Sequence, residues 1–400
     1  MIQVKPEIHH HSNCPYCNVG LKAIDVIWQG IHVCVVSNCS ACSAEFTEDL
    51  KVGQAIYTPY QVDLKKNILF GDDESKHWFG IPLLKSLQNP RSENVEFKVE
   101  KFREFKKVII LNCIDYLYGH CLLKLLNAES HIKNNPEFGL IIIVPIFLRW
   151  MVPQGVAEVW TVNIPLSKAQ NYYPVLDNRI KLECERFDSV YVSSAHSHPK
   201  NFDITNFTGV NKHDFNRENF RITFIWREDR PWWNHNFSLR VVRKLNYMKP
   251  LIYWQNYKIC RLFSLLREKI PKAKFTVAGL GTLTRFPKWI DDRRIGHFNE
   301  NLERETCNIY AESRLIIGVH GSNMLLPSGH AGMTIDLMPH DRWGNFAQDV
   351  LYQESDNRLS SFKYRYLPLN TNVRLISKIA ITQIHNYSCY RKQMLNELSQ

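Results

Sequence analysis

The chain has 400 residues and a mass of 47.0 kDa, enough for two or three domains at ~150 residues each. Hydrophobic residues make up 44% of it and charged residues 22%, with 10 Trp, 17 Tyr and 21 Phe, which excludes a disordered, collagen-like or small disulfide-scaffold chain. Lys and Arg number 50 against 39 Asp and Glu, a net charge of +11; the excess favours an anionic partner (nucleic acid, an acidic membrane surface or a phosphate-bearing small molecule) without choosing among them.

The opening MIQVKPEIHHH lacks the apolar core of a secretory signal. The longest apolar run, LIIIVPIFL at 140–148, is about half the ~20 residues of a membrane-spanning helix. Together these predict a soluble, cytoplasmic chain.

Five of the 11 cysteines crowd into the first 42 residues. CPYC at Cys14 and Cys17 and CSAC at Cys39 and Cys42 are two C-x-x-C knuckles, and the segment LKAIDVIWQGIHVCVVS between them alternates like a β-hairpin. This is the pattern of a zinc ribbon, in which each knuckle brings two thiolates onto one tetrahedral ion. Such a closed site does folding work and no catalysis. Substitution of one cysteine by His9, His10 or His11 stays open, as does a fifth, non-ligating thiol at Cys34. A redox pair is disfavoured, because thioredoxin-type CxxC sites follow a strand in a βαβ unit. The remaining cysteines are scattered, often in apolar runs, as small buried hydrophobes in reducing surroundings are.

Residues 50–100 are mixed and polar, with GDDESKHW and LQNPRSENVE as turn-rich connectors. Buried strands then follow at KKVIILNC (106–113), GLIIIVPIF, AEVWTVNIPL and RFDSVYVSS (186–194), with a helix at HCLLKLLNAESHI between the first two. A second block has strands at FRITFIWRE (220–228), KFTVAGLG (274–281), SRLIIGV and MTIDLMP (333–339). In it KICRLFSLLREKI (258–270) carries a helical stripe at 259, 262, 263, 266 and 270, and Val373–Leu398 reads as a helix. Strands alternating with helices over two blocks predict an α/β chain with two mostly parallel sheets and a cleft between two facing domains.

The segment GVHGSNMLLPSGHAGMTIDLMP (318–339) sets Gly318, His320, Gly321, Ser322 and Asn323 at a strand's carboxyl end. There Gly321 permits close backbone approach, Ser322 or Asn323 suits an N-cap, and free amides suit a diphosphate. Neither a Walker loop nor GxGxxG occurs here. Around HGSNMLLP and TIDLMP the chain resembles the donor-site signature of glycosyltransferase family 61. LYGHCLLKLLNA (117–128), FRITFIWREDRP (220–231) and WGNFAQDVLYQ followed by FKYRYLPL resemble further stretches of that family in order. The HGSN loop is shorter than the family's, and Asp336 stands where the family usually has Glu.

The resemblance implies a GT-B fold: two Rossmann-like domains, the C-terminal one holding a nucleotide-sugar. It implies an inverting, metal-independent glycosyltransferase acting on a hydroxyl acceptor (a glycan, polysaccharide or protein). The domains then run 1–50 (zinc ribbon), 51–215 (acceptor domain), 216–372 (donor domain) and 373–400 (C-terminal helix). Arg227, His320, Gly321, Ser322, Asn323 and Asp336 form the donor site; for Asp336 two roles stay open, accepting from ribose hydroxyls or capping a loop. His120, with Asp115 behind it, takes the acceptor side. A third base candidate is the SSAHSHPKNFD segment, with His196, His198 and Asp203. Structural zinc is the cofactor expected and no catalytic metal is. Peripheral contact with an anionic membrane surface is open, nucleic acid ranks lower as a partner, and a zinc-ribbon nucleic-acid-binding protein is the alternative.

Overall fold

The computed structural model describes residues 1–193, 199, 202–245, 247–346 and 356–394, the side chains of residues 54, 236 and 237 excepted. Contacts divide the chain into two compact units, Met1–Asp203 and Ile204–Gln400. The expected boundary at 215/216 thus moves to 203/204. Ile204 and Phe207, in what reads as loop sequence, are buried, and the Ile204 side chain packs over Gly329 of unit 2.

In unit 1, β1 (Ile2–Lys5) precedes an antiparallel meander of β2 (Leu21–Trp28), β3 (Val33–Cys39), β4 (Glu45–Asp49), β5 (Tyr60–Asp63) and β6 (Ile68–Gly71). The predicted hairpin is therefore β2–β3 of a larger sheet, and residues beyond 50 complete it. The 50–100 stretch, read as connectors, also contains the helix Ile81–Gln88 and β7 (Phe97–Lys101). These short elements lack a long apolar run; β7 exposes two of its five residues and is an edge strand.

The main sheet of unit 1 adds β8 (Lys107–Asn112), β9 (Gly139–Pro145), β10 (Glu158–Val162) and β11 (Ser189–Val192), in the order β1-β11-β8-β9-β10-β7. The four central strands are parallel and β1 and β7 are antiparallel edges. β9 and β10 are buried along their whole length, as strands covered on both faces are, hence their unbroken apolar sequence.

Unit 2 forms a fully parallel six-stranded sheet from β12 (Arg221–Trp226), β13 (Lys274–Leu280), β14 (Asp291–Ile295), β15 (Ser313–Val319), β16 (Met333–Met338) and β17 (Tyr364–Pro368). Its order is β14-β13-β12-β15-β16-β17, which in chain sequence is the 3-2-1-4-5-6 winding of dinucleotide-binding folds. The parallel strands of unit 1 follow the first part of that winding, 3-2-1-4. On the unit 2 sheet lie the helices Lys249–Lys269 and Val373–Met394. The predicted stripe, Ile259, Leu262, Phe263, Leu266 and Ile270, is buried in that core, so the C-terminal helix belongs to unit 2.

Candidate functional site

In doubly wound sheets, ligands bind outside the carboxyl ends of the strands where the winding reverses. In unit 2 that point lies between β12 and β15. Arg227 follows β12 directly, and His320, Gly321, Ser322 and Asn323 follow β15. The fold brings them together: the Arg227 guanidinium donates through Nη1 to Asn323 Oδ1 (2.7 Å) and to the His320 carbonyl (3.4 Å). Its other edge holds Asp229 (2.9 and 2.5 Å).

Arg230, which the sequence did not single out, donates to the same His320 carbonyl at 3.0 Å. Among the described residues no carboxylate forms an ion pair with it. Burial and the neighbouring Arg227 push its pKa down to about 10, so two guanidiniums crowd one carbonyl with a single bound carboxylate between them. Such a pair draws an anion, and its planar forks match phosphate oxygens. Asn323 Nδ2 is also buried and unpartnered among the described residues, a further donor at the same spot.

Gly321 has φ +150, and a Cβ on it would sit 2.5 Å from Arg227 Nη1. The positive φ favours glycine here, and a side chain would also displace the guanidinium from its place in the turn. The expected N-cap does not form, because neither Ser322 nor Asn323 caps with its side chain and Asn323 Oδ1 is taken by Arg227. The following helix, Leu325–His330, has only six residues, so the arginines outweigh helix amides as the source of positive charge.

Asp336 on β16 is fully buried. Its Oδ2 accepts from His320 Nδ1 (2.8 Å) and from the Tyr364 hydroxyl (2.9 Å). Asp336 thus stands behind His320 and orients the imidazole, while its Oδ1 is buried and without a partner among the described residues.

The switch point of unit 1 lies between β8 and β11. Asp115 follows β8 and is buried, with Lys124 Nζ at 2.9 Å and His120 Nδ1 at 3.3 Å. Burial alone would raise its pKa, but Lys124 and His120 hold the carboxyl well below the usual range. Asp115 also accepts from the Leu117 amide (3.2 Å), which closes the turn into the helix Tyr118–Leu125. His120 is about one-third exposed. Of the third candidate cluster, His196 and His198 lie outside the described residues. The Asp203 backbone donates to Glu129 (2.7 Å).

The sulfurs of Cys14, Cys17, Cys39 and Cys42 all lie within 4.8 Å of one another. Three of the separations are 3.4, 3.6 and 3.9 Å, against the roughly 3.8 Å spanned by two sulfurs ~2.3 Å from a tetrahedral zinc. The knuckles are twins. Asn18 and Ser43, one residue past each, have φ 60 and 58, and their amides return to the carbonyls of Cys14 (2.8 Å) and Cys39 (3.0 Å). Amides of Cys42 and Ala41 press the Cys39 thiol down to about 6, which supplies a ready thiolate. The neighbouring Cys17 and Cys42 thiols are pushed up, and four sulfurs at these separations can hold one metal ion. His10 instead faces Glu48 (3.2 Å) and Cys34 faces Asp49 (3.4 Å), so neither joins the four.

No protein-family model and no curated protein matches the chain; the resemblance to family 61 gains no support there. Among solved structures it is similar to the Escherichia coli ADP-heptose lipopolysaccharide heptosyltransferase II, at 11% identity and TM-score 0.41 over 70% of this chain and 99% of that one. It is also similar to the GtfA/B complex, at 9% identity and TM-score 0.27 over 96% of this chain and 75% of that one. Likenesses this distant carry no argument about what the chain does. No helix among the described residues is long and apolar enough to cross a membrane.

Proposed function

We propose that the protein is a glycosyltransferase of GT-B type that moves a sugar from a nucleotide-sugar to a hydroxyl acceptor, with inversion and without a catalytic metal. The observation that carries this reading is the Arg227–Arg230 pair at the switch point of a 3-2-1-4-5-6 sheet. Displacement at an anomeric carbon needs a stabilised diphosphate leaving group and a base for the incoming hydroxyl. The arginines, with Asn323 Nδ2, suit the first task. His320, oriented by Asp336, suits a hydrogen bond to phosphate or sugar. Ser322 and Gly321 line the same turn. His120, backed by Asp115, is the base we assign to the acceptor side.

In this reading the acceptor is a glycan, polysaccharide or protein, the protein works in the cytoplasm, and its basic surface meets anionic membrane lipid peripherally. The four-cysteine cluster holds structural zinc, which supplies folding energy to the N-terminal sheet. Thermal melting with UDP, GDP, ADP and CMP and their sugar conjugates tests it. A nucleotide at 100 times its dissociation constant raises stability by about 2.7 kcal/mol. Stabilisation by DNA or RNA, with none from any nucleotide, refutes the reading.

A further inference from the structure

Unit 1 contains a cavity of about 110 Å³, several times the ~30 Å³ share of one water. It opens at the switch point already described, where Asn112, Asp115, His120 and Lys124 line one wall. The opposite wall comes from the antiparallel sheet and the connection between β4 and β5, and it brings a second imidazole–carboxylate pair, His32 and Asp49. His32 Nδ1 lies 2.8 Å from Asp49 Oδ2. Asp49 also accepts from the Tyr60 hydroxyl (2.9 Å) and the Cys34 thiol (3.4 Å). Burial and the carboxylate push both of those groups up, so they remain protonated donors.

With Nδ1–H held by Asp49, His32 presents Nε2 as an acceptor, the arrangement by which a carboxylate orients a histidine base. Nε2 has no hydrogen-bond partner among the described residues, and the side chain, 8% exposed, lines the cavity. The two pairs differ in one respect. Asp115 is shared between His120 and Lys124, whereas Asp49 has no Lys or Arg partner among the described residues and is left to His32. Val33, Leu50, Val52 and Phe79 supply apolar walls. Among the described residues only the four cysteines bring three or more ligand atoms within 4.8 Å of one another, so the cavity is not built as an ion cage. Apolar walls, an ammonium, and imidazole and carboxylate acceptors suit a ring that carries hydroxyls.

We propose that this cavity binds a sugar ring, with His32 Nε2 accepting a hydrogen bond from one of its hydroxyls. As a binding site it stands on unit 1 alone; as the acceptor site it rests on the transferase reading. In transfer, one hydroxyl of the bound ring gives its proton to His120, the base already assigned, and its oxygen forms the new bond to the anomeric carbon, while His32 Nε2 holds a neighbouring hydroxyl. The nucleoside diphosphate leaves with the electron pair of the broken bond.

Saturation-transfer NMR on the full-length, zinc-loaded protein with methyl glycosides of the common hexoses and pentoses tests the site. The wild type should saturate the ring protons of at least one glycoside, and His32→Gln should reduce that signal at least tenfold. Ala55→Met, which fills the cavity from a partly exposed turn, should do the same with the melting temperature unchanged, and serves if His32→Gln misfolds. No signal from any glycoside, or an equal signal from a folded His32→Gln or Ala55→Met, overturns the proposal. Nucleotide titrations of the same samples separate it from the transferase reading. Glycoside binding without nucleotide binding sinks only the latter, and the converse sinks only the cavity.

Discussion

The two units wind their parallel strands alike but furnish the switch point oppositely. In unit 2 it carries Arg227 and Arg230 over a glycine turn. In unit 1 it carries Asp115, His120 and Lys124 and is walled by a second sheet that adds His32 and Asp49. Backbone topology fixes where a ligand can sit; the side chains at the strand ends decide whether that ligand is an anion or a hydroxyl. In the proposed transfer, one winding would serve both halves of the reaction.

The largest expected effect breaks the comparison on one side only. One zinc per chain should appear in elemental analysis. Cys39→Ser should abolish the N-terminal sheet, since structural zinc contributes on the order of 10–16 kcal/mol in isolated finger peptides. β3 runs from Val33 at the cavity to Cys39 at the cluster, so chelation should remove glycoside binding while nucleotide affinity in unit 2 persists. Loss of both together means that the units do not fold independently.

Next come the arginines. Arg227→Ala should lower turnover about 10² to 10³-fold, the range for one lost charge-stabilising donor, and lysine should restore it only in part. Arg230→Ala should weaken nucleotide binding about 10- to 150-fold, from 1.5–3 kcal/mol for a charged hydrogen bond. His120→Ala should slow transfer and leave nucleotide affinity within about twofold. If His120→Ala instead weakens the nucleotide, the division of labour is wrong.

Gly321 sharpens the anionic side. Alanine should cost about 1–3 kcal/mol at a backbone angle that side chains avoid. In either variant the Cβ would meet Arg227 Nη1 and push it aside, and the γ-methyls of valine would crowd the guanidinium further. Isothermal titration should therefore find nucleotide affinity falling from Gly to Ala to Val, and equal affinities would show that Arg227 does not hold the ligand.

Much of this was legible in sequence, for a physical reason. β9, β12, β15 and β16 are parallel strands buried on both faces, so they read as unbroken apolar runs. β14 reads DDRRI and is an edge strand, so its polar sequence hid it. The knuckles were legible because each is four residues long. Arg227 was legible because it ends an apolar strand; Arg230 was not, since its value lies in sharing the His320 carbonyl 90 residues away. His32 and Asp49 are 17 residues apart, brought together because β3–β4 pairing sets Cys34 opposite Asp49 just beyond His32, and they match no motif. The bond from Asp336 to His320 was not legible, because sequence does not tell a residue facing a ligand from one standing behind a histidine.

The smallest effect concerns pH and unit 2. His213 Nδ1–H donates to the Ala311 carbonyl at 2.9 Å, while its Nε2 is buried and unpartnered among the described residues. Burial pushes its pKa from 6.5 down to about 4, so the folded imidazole stays neutral where the unfolded one takes a proton. For a base held low, stability is full above about 6.5 and falls as pH drops towards 4, because the unfolded state binds the extra proton. Each pH unit in that window costs up to about 1.4 kcal/mol, or roughly 2 kcal/mol between pH 6.5 and 5. The matching group in unit 1 is His131, also pushed down by burial and bonded to Ser193 at 2.5 Å. His213→Gln keeps a donor and removes the titration. Urea unfolding at pH 7 and pH 5, followed by hydrogen exchange in each unit, should show a shallower pH slope in unit 2 and an unchanged one in unit 1. A slope in unit 2 identical to the wild type would remove His213 as its cause.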